Sequence, residues 1–161
     1  MIGTLDSGRT QLVGAHRGRC ALREWSARLT PTPDVLELRA EGDIVTCRQA
    51  VRRLAQELRF SLVDQTRLIT AASELARNTL VYGGGGEMRC LVVRRGARAG
   101  LQLDFEDRGP GIADVELALT DGRTSGGGMG LGLSGSKRLV HEFGVRSVVG
   151  EGTCVTITRW N

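Results

Sequence analysis

A chain of 161 residues with 40% apolar and 25% charged side chains fits one globular domain with a single core. No apolar run approaches the roughly 18 residues of a membrane span, and the N-terminus lacks the apolar stretch of a secretory signal. The net charge of +4 is carried almost wholly by arginine, Lys137 being the single lysine. That balance suits an acidic ligand or plain solubility. With no interleaved aromatics, it argues against nucleic acid.

Cys20, Cys47, Cys90 and Cys154 are scattered, and His16 and His141 are the only histidines. The spacing excludes a zinc site and predicts buried thiols in a reducing cytoplasm. Residues 1–33 hold four glycines, two prolines and five arginines without periodicity, which predicts a flexible extension. A short helix from Cys20 to Leu29, packed on the domain or on a second copy, is the other reading. Residues 34–161 form the domain.

Val35 to Ala40 reads as a strand. Gly42 and Asp43 turn the chain and cap a helix in which Ile44, Cys47, Val51, Leu54 and Leu58 recur at three and four spacing. Ser61-x-x-Asp64 opens a second helix, running to about Tyr82. At about 100° per residue, Leu68, Ala72, Leu75, Ala76 and Leu80 make its core face. Glu74, Asn78 and Tyr82 fall along one edge of that arc. Gly83 to Gly86 stop it.

Glu87 to Arg95 is a strand, and Gly96 to Gly100 a turn. Leu101, Leu103 and Phe105 alternate with polar residues in a second strand that ends at Asp107. Ile112 to Leu119 holds a short turn of helix. A third helix is expected from Gly130 to Phe143, stopped by Gly144, with His141 on its surface. Val145 to Val149 and Thr153 to Trp160 close as a hairpin, with Trp160 a terminal packing residue. Paired strands with helices gathered between them predict an α+β sandwich, its sheet covered on one face by helices.

Three patterns carry chemistry. An Asn78 amide oxygen on a helix edge can ligate Mg²⁺ without setting a charge against phosphate, and Glu74 can accept a proton from an attacking hydroxyl. A solvated helix face accounts for the same pair. In Asp107-Arg108-Gly109-Pro110-Gly111, a strand-end carboxylate can accept from an adenine amino group while the glycines let backbone pass under a flat ring. A polar turn uses the same residues. The run Ser125 to Leu133 leads into a helix N-terminus, where free N–H groups suit phosphate. It is no P-loop, because Ser136 precedes Lys137 and no strand leads in. The dinucleotide spacing Gly130-x-Gly132-x-x-Gly135 also lacks its strand. Lys137 and Arg123 are candidate phosphate contacts, and Thr153 a candidate neighbour of Asp107.

Together, Glu74 to Asn78, Asp107 to Gly111 and Gly128 to Gly132 resemble the N, G1 and G2 boxes of the GHKL, or Bergerat-fold, ATPases. From Val35 to Trp160 the chain resembles the RsbT-type serine/threonine-protein kinases of bacterial stress-response switches. The segments that carry this are Asp43-Ile44-Val45, Ser73 to Asn78, Asp107 to Ile112, Lys137-Arg138-Leu139 and Gly150 to Thr153. The resemblance implies a two-layer α/β sandwich with a mixed, mostly antiparallel sheet under about three helices. It implies ATP and Mg²⁺ as cofactors, with Asn78 the metal ligand and Glu74 the general base.

Asp107 would take the adenine amino group, Gly109 and Gly111 would shape its pocket, and Thr153 would support it. Gly128, Gly130 and Gly132 would cap the triphosphate, with Lys137 and Tyr82 as further cofactor contacts. The implied substrate is a STAS-domain antagonist protein, and the implied second partner a PPM-type phosphatase. Related anti-sigma factors of the SpoIIAB or RsbW type share the same pocket, and a non-catalytic nucleotide sensor is the reading from another class. No phosphoacceptor histidine or dimerisation helix pair precedes the domain, which disfavours a two-component histidine kinase. Oligomeric state, including a homodimer, stays open.

Overall fold

Alternating strands build one dry sheet face, and two periodic helices cover it. A computed structural model describes residues 34–120 and 132–161. Its strands are β1 (Asp34–Leu38), β2 (Gly86–Arg95), β3 (Arg98–Asp107), β4 (Glu142–Val148) and β5 (Gly152–Trp160). They lie in the order β1-β2-β3-β5-β4, and every neighbouring pair is antiparallel, in keeping with the mostly antiparallel sheet expected. Leu103 on β3 faces Cys90 on β2 and Ile157 on β5, and Ile157 faces Phe143 on β4. This rung lies in the core, each member at most 6% exposed. A buried side chain of this size contributes about 1.5–3 kcal/mol.

The helices are α1 (Glu41–Glu57), α2 (Leu62–Val81), the single turn α3 (Val115–Ala118) and α4 (Gly132–Arg138). Ile44, Cys47, Val51 and Leu54 of α1 are buried, as are Leu68, Ala72, Leu75 and Ala76 of α2. The two stripes meet the sheet as the spacing predicts. Asp43 does not precede α1, as expected, but lies inside its first turn. Its Oδ2 accepts from Arg39 N and Ala40 N, both at 2.8 Å, and these bonds hold its pKa below the ordinary value. A carboxylate serves a helix start equally well from this position, because it still meets free N–H groups.

Ser61 caps α2 as expected, accepting from Asp64 N at 3.1 Å. Asp64 also pairs with Arg159 of β5, whose Nη1 donates to Leu139 O at 2.6 Å. The guanidinium is 6% exposed, so this ion pair ties the start of α2 to the last strand inside the protein.

Five further expectations fail. The third helix ends at Arg138, and Phe143 is buried from β4 instead. Gly144 is no helix stop; it sits in β4 opposite Thr156. His141 follows α4, and its Nδ1 accepts from Trp160 N at 2.9 Å. The β2–β3 turn is shorter than Gly96 to Gly100: Ala99 and Gly100 belong to β3, and the Trp160 ring packs where a Cβ on Gly100 would be, 2.6 Å from Cε3. Cys47 and Cys90 are buried thiols, as expected, but Cys154 is disulfide-bonded. The 1–33 extension lies outside the described residues.

Candidate functional site

Sheet order creates the site. Because β5 inserts between β3 and β4, the end of β3 lies beside the start of β5. Asp107 ends β3, and its Oδ1 accepts from Gly109 N at 2.9 Å and from Thr153 N at 3.2 Å. Both bonds fall on one oxygen. Burial raises the Asp107 pKa, and the two N–H donors oppose that shift without cancelling it. The Thr153 contact predicted from sequence exists, but the backbone makes it; the hydroxyl lies 2.7 Å from Ser147 Oγ.

Glycines let three segments close on this carboxylate. A Cβ on Gly83, past the end of α2, would lie 2.4 Å from Asp107 Cβ. One on Gly109 would lie 2.6 Å from Gly83 Cα. Gly152 is held at φ +118°, where a Cβ would meet Asp107 O at 2.1 Å. Gly111, at φ +71°, would meet Val148 O at 2.3 Å. Real Cβ atoms do not approach so closely, so each position needs glycine for room, and the last two also for conformation.

The α2 helix feeds into this crossing. Glu74 and Asn78 lie one turn apart, both partly buried, and Asn78 O accepts from Tyr82 N at 2.9 Å. Tyr82 exposes half its surface while its carbonyl lies against Gly109. Gly132 starts α4 at φ +61°, and Lys137 stands partly buried in that helix, which packs against α2. Gly128, Gly130 and Arg123 lie outside the described residues. Asp107, Gly109, Gly111 and Thr153 thus form one cluster, bordered by the end of the helix that carries Glu74 and Asn78.

Sequence reasoning missed Ser147, Gly83 and Gly152. Gly83 was read as a helix stop, and Gly152 as a turn within the Gly150 to Thr153 segment of the resemblance, neither as a site residue. A lone serine inside a strand carries no signal of its own.

The donor set suits a nucleotide with its metal. Among the described residues no three His, Cys, Asp or Glu side chains cluster, so these residues form no metal cage by themselves. A magnesium ion held through one side chain and phosphate oxygens needs none. A partly buried carboxylate, held among glycines packed too closely for any Cβ, fits a base with an amino donor.

Residues 63–160 match the family of histidine kinase-, DNA gyrase B- and HSP90-like ATPases. The serine/threonine-protein kinase RsbT of Bacillus subtilis is 45% identical over 125 residues, 78% of this chain and 94% of that protein. The adaptive-response sensory kinase SasA of Prochlorococcus marinus is 30% identical over 109 residues, 59% of this chain and 28% of that protein. A crystal structure of the RsbU and RsbW domains of a Mycobacterium tuberculosis protein superposes with TM-score 0.57 at 19% identity, over 82% of this chain and 33% of that one. That last likeness speaks for the fold alone. This chain belongs to the histidine kinase-, DNA gyrase B- and HSP90-like ATPase family and, within it, to the RsbT type of serine/threonine-protein kinase.

Proposed function

We propose that the protein transfers the γ-phosphoryl group of ATP to a serine or threonine of a STAS-domain antagonist protein, and that it activates a PPM-type phosphatase when released. The observation that carries the nucleotide part is Asp107, whose two N–H bonds both fall on Oδ1. Oδ2 is thereby left to accept from the adenine amino group. The 45% identity with RsbT supports the kinase part.

Phosphoryl transfer is mostly positioning and charge stabilisation. Asn78 would hold the Mg²⁺ that offsets charge on the phosphates. Glu74, one turn back on α2, orients the acceptor hydroxyl and takes its proton as the oxygen attacks. Gly128, Gly130 and Gly132 would give backbone N–H groups to the triphosphate, and Lys137 and Tyr82 would border it. The reaction needs water kept from the γ-phosphate, and the docked protein substrate serves that purpose.

The test is co-incubation with a STAS-domain protein, Mg²⁺ and γ-labelled ATP. Label should pass to a serine or threonine, and the Glu74→Ala protein should bind ATP yet transfer about 10²–10⁴-fold more slowly. Full transfer by Glu74→Ala would remove Glu74 as the base. ATP-dependent capture of a sigma factor with no label transfer would replace this reading with the anti-sigma one.

A further inference from the structure

The sheet has a second face. Val155 and Ile157 of β5 point into the core, so strand alternation sends Cys154, Thr156, Thr158 and Trp160 to the other side. Every described helix contributes to the core on the first face, through Ile44, Val115 and Leu133 among others. An antiparallel sheet of this kind commonly leaves its other face to water. Here Cys154 is only 6% exposed and Thr158 3%. Asp104, opposite Thr156 on that face, accepts from Thr156 Oγ1 at 2.7 Å and from Gln102 Nε2 at 3.0 Å, yet burial still raises its pKa. This face is covered, and none of the described helices covers it.

Counting cysteines names the cover. The chain has four. Cys47 and Cys90 are free thiols, and Cys154 is disulfide-bonded. Within one chain, Cys20 is the only cysteine left to hold it. The other stretch outside the described residues, 121–131, contains none. Reach is ample. From Cys20 to Asp34, the start of β1, the chain can extend about 45 Å. Crossing from β1 to β5 takes three strand spacings, about 14 Å, and about 10 Å more along the strands.

Composition agrees with that path. Leu22, Trp25 and Leu29 recur at three and four spacing between Cys20 and β1. Leu91 and Val93, partly buried on the second face, lie just beyond the point where β1 begins to pair. Residues 1–33 hold five arginines against two acids. Around Cys154, Glu87, Asp104 and Glu106 outnumber Arg89 and Arg146.

We propose that residues 1–33 are a built-in partner of the sheet: they cover the face opposite the helices and are pinned there by a disulfide between Cys20 and Cys154. The bond forms when the two thiols give two electrons and two protons to a small-molecule disulfide, which leaves as two thiols. A reducing compartment releases the pin and keeps the apolar and charged contacts. Cys154 follows Thr153 and stands opposite Glu106, so the pin lies directly behind the Asp107 cluster.

The experiment treats the full chain with oxidised glutathione, blocks free thiols, and reads the digest by mass spectrometry without reductant. A Cys20–Cys154 peptide pair should appear in the monomer and vanish on reduction. The thermal midpoint should rise by about 5–15 °C on oxidation, as for a bond closing a long loop. Cys20→Ser should abolish that rise. Iodide quenching reads the cover itself. Trp25 and Trp160 are the only tryptophans, so the difference between wild type and Trp25→Phe isolates Trp25, which should be shielded in the oxidised chain. A disulfide-linked dimer would make a second copy the occupant and overturn the proposal. So would the absence of the Cys20–Cys154 pair after oxidation, or a Trp25 as open to iodide as in the denatured chain.

Discussion

Asp107→Asn separates the two tasks of this side chain. Oδ1 accepts two backbone N–H groups, from Gly109 and from Thr153, and so ties the β3 end to the start of β5. An asparagine retains one carbonyl oxygen in that place and keeps both bonds. What changes is the other arm, where Oδ2 becomes an NH₂ group. A donor then faces the amino donor of adenine. The lost contact is a hydrogen bond to a charged acceptor, worth about 1.5–3 kcal/mol. ATP affinity should fall about 10- to 150-fold, while the thermal midpoint moves little.

Asp107→Ala gives the contrast. It strands the Gly109 and Thr153 N–H groups as well, and each half-buried donor left unsatisfied costs about 1–3 kcal/mol. The alanine variant should therefore lose stability together with affinity, and the asparagine variant affinity alone. Calorimetric titration with ATP beside thermal unfolding measures both quantities on the same samples. Retention of wild-type affinity by Asp107→Asn, with normal folding, refutes the assignment of the base site.

Three further outcomes are expected. Asn78→Ala should raise the Mg²⁺ concentration needed for half-maximal ATP binding at least about tenfold, because a metal with few protein ligands depends on each; unchanged Mg²⁺ titrations would move the ligand elsewhere. Asp64→Asn should destabilise the fold by about 3 kcal/mol, the lower end of the usual loss for a broken buried pair. Arg159 is enclosed, but the Asp64 side chain keeps a quarter of its surface in water, and denaturant titration reads the difference. The His141 pKa lies below its ordinary 6.5, chiefly through burial and then through Arg159 and Arg98. The unfolded chain therefore takes up a proton near pH 6.5 that the folded chain resists, so this contribution is present above that pH and is lost as pH falls below it. Unfolding of wild type and His141→Gln at pH 7.5 and 5.5 should show a smaller pH dependence in the variant.

Local patterns with one solution were legible in the sequence. The stripe from Leu68 to Ala76 and the Ser61 cap place α2, and with it the Glu74 and Asn78 spacing. The alternation of Leu101, Leu103 and Phe105 ends at Asp107, as it must if a strand carries the carboxylate to one end of the sheet. Patterns with two solutions were not. Leu133, Val140 and Phe143 satisfy helical spacing, while Phe143 and Val145 satisfy strand spacing. Pairing with β5 decides, because Phe143 opposite Ile157 buries both. Ser147 was invisible for a stronger reason. Gly152 and Thr153 lie across its own hairpin, but its bond to Ile112 depends on strand order, which no window of sequence contains.

Strand order is also what joins the chemistry to the fold. Had β4 and β5 followed β3 as a simple meander, Asp107 would have faced the start of β4 rather than the first residues of β5. With β5 inserted, the Thr153 N–H reaches Asp107 and Gly152 passes directly over its carbonyl. The β4–β5 hairpin, which a meander would share, sets Ser147 opposite Thr153. The insertion is what carries that pair to Asp107 and to Ile112. Gly83, Gly109, Gly111 and Gly152 are the condition for it, since a side chain at any of them would fill the space the crossing segments occupy. The α2 helix enters at Gly83, and its own last turns bring Glu74 and Asn78 toward the same end of the sheet. The acceptor for the base and the helix proposed to act on the phosphates are therefore held by one packed junction. A substitution that loosens it should weaken nucleotide binding before it unfolds the domain.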